Sequence, residues 1–196
     1  TIQNSMFRRF MTTNHFEIRL KAEALDPMAW LESANRLIAS AEKLEDYFEE
    51  FWNTLKTEKI LDDSKVSILF MIYSYAIENL LKAIIVIRDK QNLSSQNWGK
   101  LPNSLQGHNL YQLCKKSGLD NLAREYESIL KKLSRSAEWY GRYPTPIKAS
   151  DYNNLRSSEN ESNGISLSGH TPIDLNEIKK IINELKSNLY NYLQRI

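Results

Sequence analysis

The sequence VSILFMIYSYAIENLLKAIIVI, Val66–Ile87, is the one long apolar run in the chain, and the rest of the architecture follows from it. Its length would suit a membrane span, but Glu78, Asn79 and Lys82 lie inside it, and such groups are costly in lipid. The run therefore predicts a helix that is apolar on nearly all sides and buried at the centre of a bundle.

The helix before this run is marked by Asp26 and Pro27, since Asp accepts bonds from free amides and Pro at the first helical position loses none. Apolar residues then recur every three or four positions to about Lys56, with acidic residues between them. This pattern predicts an amphipathic helix, antiparallel to a second helix from Lys65 to about Lys90.

Two further helices are predicted downstream of this pair. Residues 91–107 are rich in polar residues and are expected to form a loop. A short helix from about His108 to Ser117 follows, and Gly118 is placed to end it in a left-handed conformation. A fourth helix is expected from Asp120 to about Trp139.

The remaining segments precede and follow these four helices in the sequence. Residues 1–25 are predicted to be an N-terminal arm, either a short extended segment, because apolar and charged residues alternate over Phe16–Lys21, or a loose tail. Residues 144–170 are polar, and part of this loop is expected to be mobile. The last helix begins at Thr171 or at Asp174. Residues 26–196 should thus form one domain, an all-α antiparallel up-and-down bundle of about five helices.

Composition limits the possible partners. The chain has 26 Lys and Arg against 24 Asp and Glu, a net charge of +2, so no global field favours double-stranded DNA or an anionic membrane. A single Cys excludes an internal disulfide and favours the cytoplasm. The three His residues lack the spacing of a helical metal site, so neither a metal nor a cofactor is expected.

Three short motifs carry a family resemblance. The central helix contains Glu78 and Leu81–Ala83, a loop leads to Gly107–Leu113, and the fourth helix is followed by Arg142–Pro144. In this order the motifs resemble HEPN domains, the higher eukaryote and prokaryote nucleotide-binding family, over roughly residues 65–144. The resemblance implies a four- or five-helix bundle, frequent homodimerisation, and either RNA cleavage or ligand binding. It also implies a toxin–antitoxin or defence setting and a small nucleotidyltransferase as partner protein.

The ribonuclease motif of that family is missing from its expected place. The ribonucleases of that family resemble one another in an Arg that is followed, after four to six intervening residues, by a His late in the bundle. Neither Arg135 nor Arg142 is followed in that way, and Arg9 with His15 falls in the N-terminal arm. We therefore expect no catalytic residues and favour binding of a nucleotide or an RNA end.

The predicted ligand contacts are Lys82, His108, Arg142 and Tyr143. A guanidinium suits phosphate and an aromatic ring suits a base. Each residue also has a structural interpretation: Lys82 can pair with Glu78, His108 can bond backbone groups, and Arg142 can hold a turn. Two other functions stay open, a ribonuclease with a degenerate centre around His108 and Arg142, and a module that binds only proteins.

Overall fold

The computed structural model describes residues 15–55, 64–96, 98–140 and 170–195. All regular elements in these ranges are helical, which confirms the predicted all-α bundle. The helices are α1 (residues 15–24), α2 (Pro27–Leu55), α3 (Ser64–Arg88), α4 (Lys90–Ser95), α5 (Leu110–Lys116), α6 (Asp120–Glu125), α7 (Glu127–Arg135) and α8 (Pro172–Leu193). A 3-10 turn, Asn103–Leu105, precedes α5, and a π-helical turn, Ser136–Tyr140, follows α7.

Helix α3 is the centre of the bundle, as its apolar sequence predicts. Helices α2, α5, α7 and α8 all pack against it. Among the described helices it alone is long and apolar enough to cross a membrane, over Val66–Arg88, yet 72% of its most apolar stretch is buried inside the bundle. Its fully buried side chains include Leu69, Phe70, Ala76, Ile77, Leu80, Leu81, Ala83 and Ile84.

Helix α2 runs antiparallel to α3, and its start is the predicted one. The Asp26 carboxylate accepts a bond from the Met28 amide at 2.9 Å. Near the middle of the helix, Glu45 accepts from the Tyr73 hydroxyl of α3 and from the Lys179 ammonium of α8, the latter at 2.6 Å. One carboxylate therefore links three helices.

Two helix ends also match their sequence signals. Gly118 has a φ of 73°, and its amide and the next one bond back to Lys115 at 2.9 Å and to Cys114 at 3.1 Å. These two bonds form a Schellman motif, which places glycine in the left-handed position. At α8, the Thr171 hydroxyl and the Asp174 carboxylate cap each other's backbone amides, so the helix begins directly after Thr171.

The N-terminal prediction was wrong where it can be compared. Residues 15–24 form helix α1 rather than an extended arm, while residues 1–14 lie outside the described ranges. Ala24 is buried, the Trp30 indole donates to its carbonyl at 2.9 Å, and the Lys21 ammonium donates to the Ser94 carbonyl. Contacts with the bundle thus hold the C-terminal end of α1, whereas residues 15–19 of this helix are exposed.

Two further differences raise the number of described helices above the predicted five. Residues 90–95 are helical, inside the predicted loop 91–107, and bury Leu93. The fourth helix is broken at Tyr126, where φ is −107° and ψ is 26°, and its last turn is π-helical. The polar loop 144–170 lies outside the described residues except for His170.

Candidate functional site

Three side chains from two of the sequence motifs meet beside α3. One oxygen of the Glu78 carboxylate lies 2.5 Å from the Lys82 ammonium, and the other lies 2.8 Å from Nδ1 of His108. Helical geometry explains the first contact, since the two α3 residues are four positions apart. The second joins residues 30 positions apart and depends on the fold.

The Glu78 and Lys82 side chains are only 8% and 7% exposed. Removing a charge from water is costly unless it is paired and hydrogen-bonded, and each of these charges satisfies the other. The ammonium also lies 5.5 Å from the centre of the Trp30 ring, where a cation–π interaction stabilises it. The surface pairing considered for Lys82 is therefore a buried ion pair.

His108 is held by the turn that precedes α5. Gly107 has a φ of 88°, a backbone conformation that favours glycine, and Asn109 caps α5 by accepting from the Gln112 amide at 3.0 Å. The Leu110 amide then bonds to the Ser134 hydroxyl at 2.9 Å, which fixes the turn to α7. The His108 side chain emerges from this turn and is 41% exposed.

The partners of His108 define its hydrogen-bonding capacity. An ionised carboxylate only accepts, so Glu78 assigns the proton to Nδ1 of the neutral imidazole. Among the described residues Nε2 has no hydrogen-bond partner. Nε2 can therefore accept a proton, or donate to an anion once the ring is protonated, while the Tyr75 ring supports the imidazole edge-on at 5.9 Å.

The fourth helix ends next to this site. The Tyr75 hydroxyl donates to the Ala137 carbonyl at 2.8 Å, within the π-helical turn. The predicted contacts Arg142 and Tyr143 follow that turn in the sequence and lie outside the described residues. The structure thus brings together two of the four predicted contacts, Lys82 and His108.

Glu78 is the residue that joins them, and in the sequence it was named as part of a motif and as a pairing partner of Lys82, but not as a partner of His108. A carboxylate one turn before a lysine in an apolar helix must find partners, so this signal was present. Its bond to His108 was not predictable from spacing, because it depends on how the loop before α5 returns to α3.

A second histidine, His170, occupies the core. Its ring stacks on Phe70 with centroids 3.8 Å apart and planes at 6°, and Nε2 lies 2.8 Å from the Ser136 hydroxyl. Burial is the main cause that holds the pKa of His170 well below its usual value, and the nearby cations Lys132 and Arg135 add to it. His170 is thus a neutral core residue in the fold.

Two negative findings complete the description of the site. Over the described part of the chain, no group of three or more His, Cys, Asp and Glu side chains is arranged to hold a metal ion. Comparison of the sequence with family models, with curated proteins and with solved structures finds no match.

Proposed function

We propose that the chain is a HEPN-like domain that binds a nucleotide or the end of an RNA without cleaving it. The observation that supports the proposal is the Glu78–Lys82–His108 array, in which two motifs of the resemblance become one hydrogen-bonded unit. A buried ion pair contributes little net stability, so its presence beneath an exposed imidazole favours a role in ligand binding.

The chemistry of the array suits a phosphate group. With a proton on each ring nitrogen, His108 can donate Nε2–H to a phosphate while Nδ1 keeps its bond to Glu78. Lys82 neutralises Glu78, so the carboxylate does not repel an approaching anion. In this proposal Arg142 contributes a guanidinium to the phosphate and Tyr143 an aromatic face to the base.

The setting of the domain is also a proposal. From the resemblance we infer a homodimer that acts in a toxin–antitoxin or defence system, with a small nucleotidyltransferase as partner protein, and from the single Cys a location in the cytoplasm. Light scattering of the purified chain at micromolar concentration tests the dimer, since a monomeric mass would contradict it.

The binding proposal is tested by thermal unfolding with nucleoside mono-, di- and triphosphates and a short RNA. A ligand that binds only the folded state raises its stability, by about 2.7 kcal/mol at a hundredfold excess over Kd. We expect the shift to be lost in His108→Ala and Arg142→Ala. His15→Ala, on the exposed side of α1, is the matched control and should keep the full shift. If no ligand shifts the wild-type protein, the binding proposal fails and a protein-interaction module becomes the better interpretation.

A ribonuclease is the second candidate, because Glu78 and His108 form a carboxylate–imidazole pair of the kind that acts as general base. Such a pair can take the proton of a ribose 2′-hydroxyl. Cleavage of a labelled RNA, but not of its 2′-deoxy analogue, that disappears in His108→Ala would support this function. Intact RNA after prolonged incubation with the wild-type protein would exclude it for that substrate.

A further inference from the structure

A basic strip leads away from the candidate site along α5. We define it as His108, Tyr111, Lys115 and Lys131. Tyr111 and Lys115 lie on α5 four positions apart, the spacing of neighbours on one face of a helix, and His108 lies three residues before Tyr111 in the turn that precedes the helix. Another face of α5 is buried in the bundle through Leu110, Leu113 and Cys114, so Tyr111 and Lys115 lie on the side of the helix that is turned toward solvent.

Tyr111 is the centre of the strip. The ammonium of Lys115 lies 5.7 Å from the centre of its ring, and the ammonium of Lys131, from α7, lies 5.3 Å from it. Two helices therefore place their cations around one half-buried ring. Two like charges held near each other raise the local potential, and an anion between them relieves their repulsion.

The charges of the strip are available to a ligand. Lys115 has no carboxylate partner among the described residues, and its neighbour Lys116 is exposed as well. Lys131 pairs with Glu127 at 2.5 Å, but these two side chains are 55% and 44% exposed. An exposed ion pair of this kind contributes at most about 1 kcal/mol, so a phosphate can replace the carboxylate.

We propose that the basic strip binds single-stranded RNA that leaves the His108 site, so that the ligand is an oligonucleotide end and not a free mononucleotide. This inference rests on the proposed function. An aromatic ring flanked by cations matches single-stranded nucleic acid, whose bases stack and whose phosphates need positive charge. Because the chain has a net charge of only +2, the attraction is local and limited to a few phosphates.

The test is a titration of 5′-phosphorylated RNAs of one to six nucleotides at several salt concentrations. We expect affinity to rise with length and to fall with salt. In the double variant Lys115→Gln/Lys131→Gln the gain with length should disappear while mononucleotide binding stays. The slope of the logarithm of the binding constant against the logarithm of the salt concentration should decrease in magnitude by about 1.4, since each phosphate contact on a single strand contributes about 0.7. Lys43→Gln, which removes an exposed cation of α2, is the matched control and should behave like the wild type.

Each outcome has a defined meaning. Equal affinity for a mononucleotide and a hexanucleotide would overturn the basic strip while the proposed function stands. A double variant that keeps the full length dependence would do the same. A duplex RNA of six base pairs is titrated in parallel. If the protein binds it as tightly as the single-stranded hexanucleotide, the proposal of a single-stranded ligand is overturned. If the wild-type protein binds RNA of no length, both the basic strip and the proposed function are overturned.

Discussion

His108 and His170 both contact α3, about two turns apart, but their surroundings are opposite. His108 is 41% exposed and bonds to the Glu78 carboxylate, whereas His170 is fully enclosed, stacks on Phe70 and bonds to a hydroxyl. A carboxylate can accept from an imidazole that carries one proton or two. A buried site between cations accommodates only the neutral ring.

Hydrogen-bond partner and exposure, and not residue type, therefore distinguish a histidine of the core from one that is available to a ligand. His170 belongs to the structure of the bundle, and His108 has the chemistry that a ligand site requires. If this division is right, the two regions should respond differently to substitution and to acid.

The largest effect is expected at the ion pair behind His108. Lys82→Met leaves the buried Glu78 carboxylate without its counter-charge, and breaking one side of a buried pair costs about 3–5 kcal/mol. Urea unfolding monitored by circular dichroism measures this loss. The double variant Glu78→Gln/Lys82→Met removes both charges and should recover most of the stability. An equally unstable double variant would show that the two side chains matter for packing and not for charge.

The next largest effect is expected for His170→Ala, which should lower the free energy of unfolding by about 2–4 kcal/mol. A cavity replaces the buried ring, and the Ser136 hydroxyl loses its hydrogen-bond partner. His170→Phe fills the space and should lose less, which separates packing from hydrogen bonding. The same urea unfolding applies. A cost below that of an exposed substitution such as His15→Ala would contradict the core position of His170.

Acid should distinguish the two histidines by the slope of stability against pH. The folded pKa of His170 is lowered, so between that value and the usual value of about 6.5 the unfolded chain binds more protons. The stability present above pH 6.5 is therefore lost as pH falls, at up to about 1.4 kcal/mol per pH unit from this group. Unfolding free energies at pH 7, 6 and 5 should fall less steeply in His170→Phe. An unchanged slope would remove His170 as the cause.

The smallest effect on stability is expected for His108→Ala. Its side chain is partly in solvent, and its loss removes one bond to a carboxylate that keeps Lys82, so we expect a change of about 1 kcal/mol or less. Thermal unfolding against wild type measures it. A loss as large as that of His170→Ala would mean that His108 holds the fold, and would weaken its assignment to a ligand site.

Periodicity and capping chemistry were enough to predict the main helices. The apolar stripe of α2, the all-round apolar α3, the left-handed Gly118 and the Thr171 cap are set by residues close in sequence. Such signals are local, so they survive without knowledge of the fold.

The rest depended on contacts between distant residues. Helix α1 contacts the bundle at its C-terminal end, and the fourth helix is interrupted at Tyr126 without a glycine or proline there. Lys82 and His108 were predicted as ligand contacts. The bond of His108 to Glu78 and the burial of His170 against Phe70 were not, because both depend on segments distant in sequence that pack against α3. Arg142 and Tyr143 remain predictions.

The bond between Ser136 and His170 has a consequence for how the gene can vary. It joins positions 34 apart in the sequence and holds the π-helical turn against the start of α8 inside the core. Both side chains are buried, so replacing one without the other leaves a polar group without its hydrogen-bond partner. The two positions should therefore change together as the gene varies.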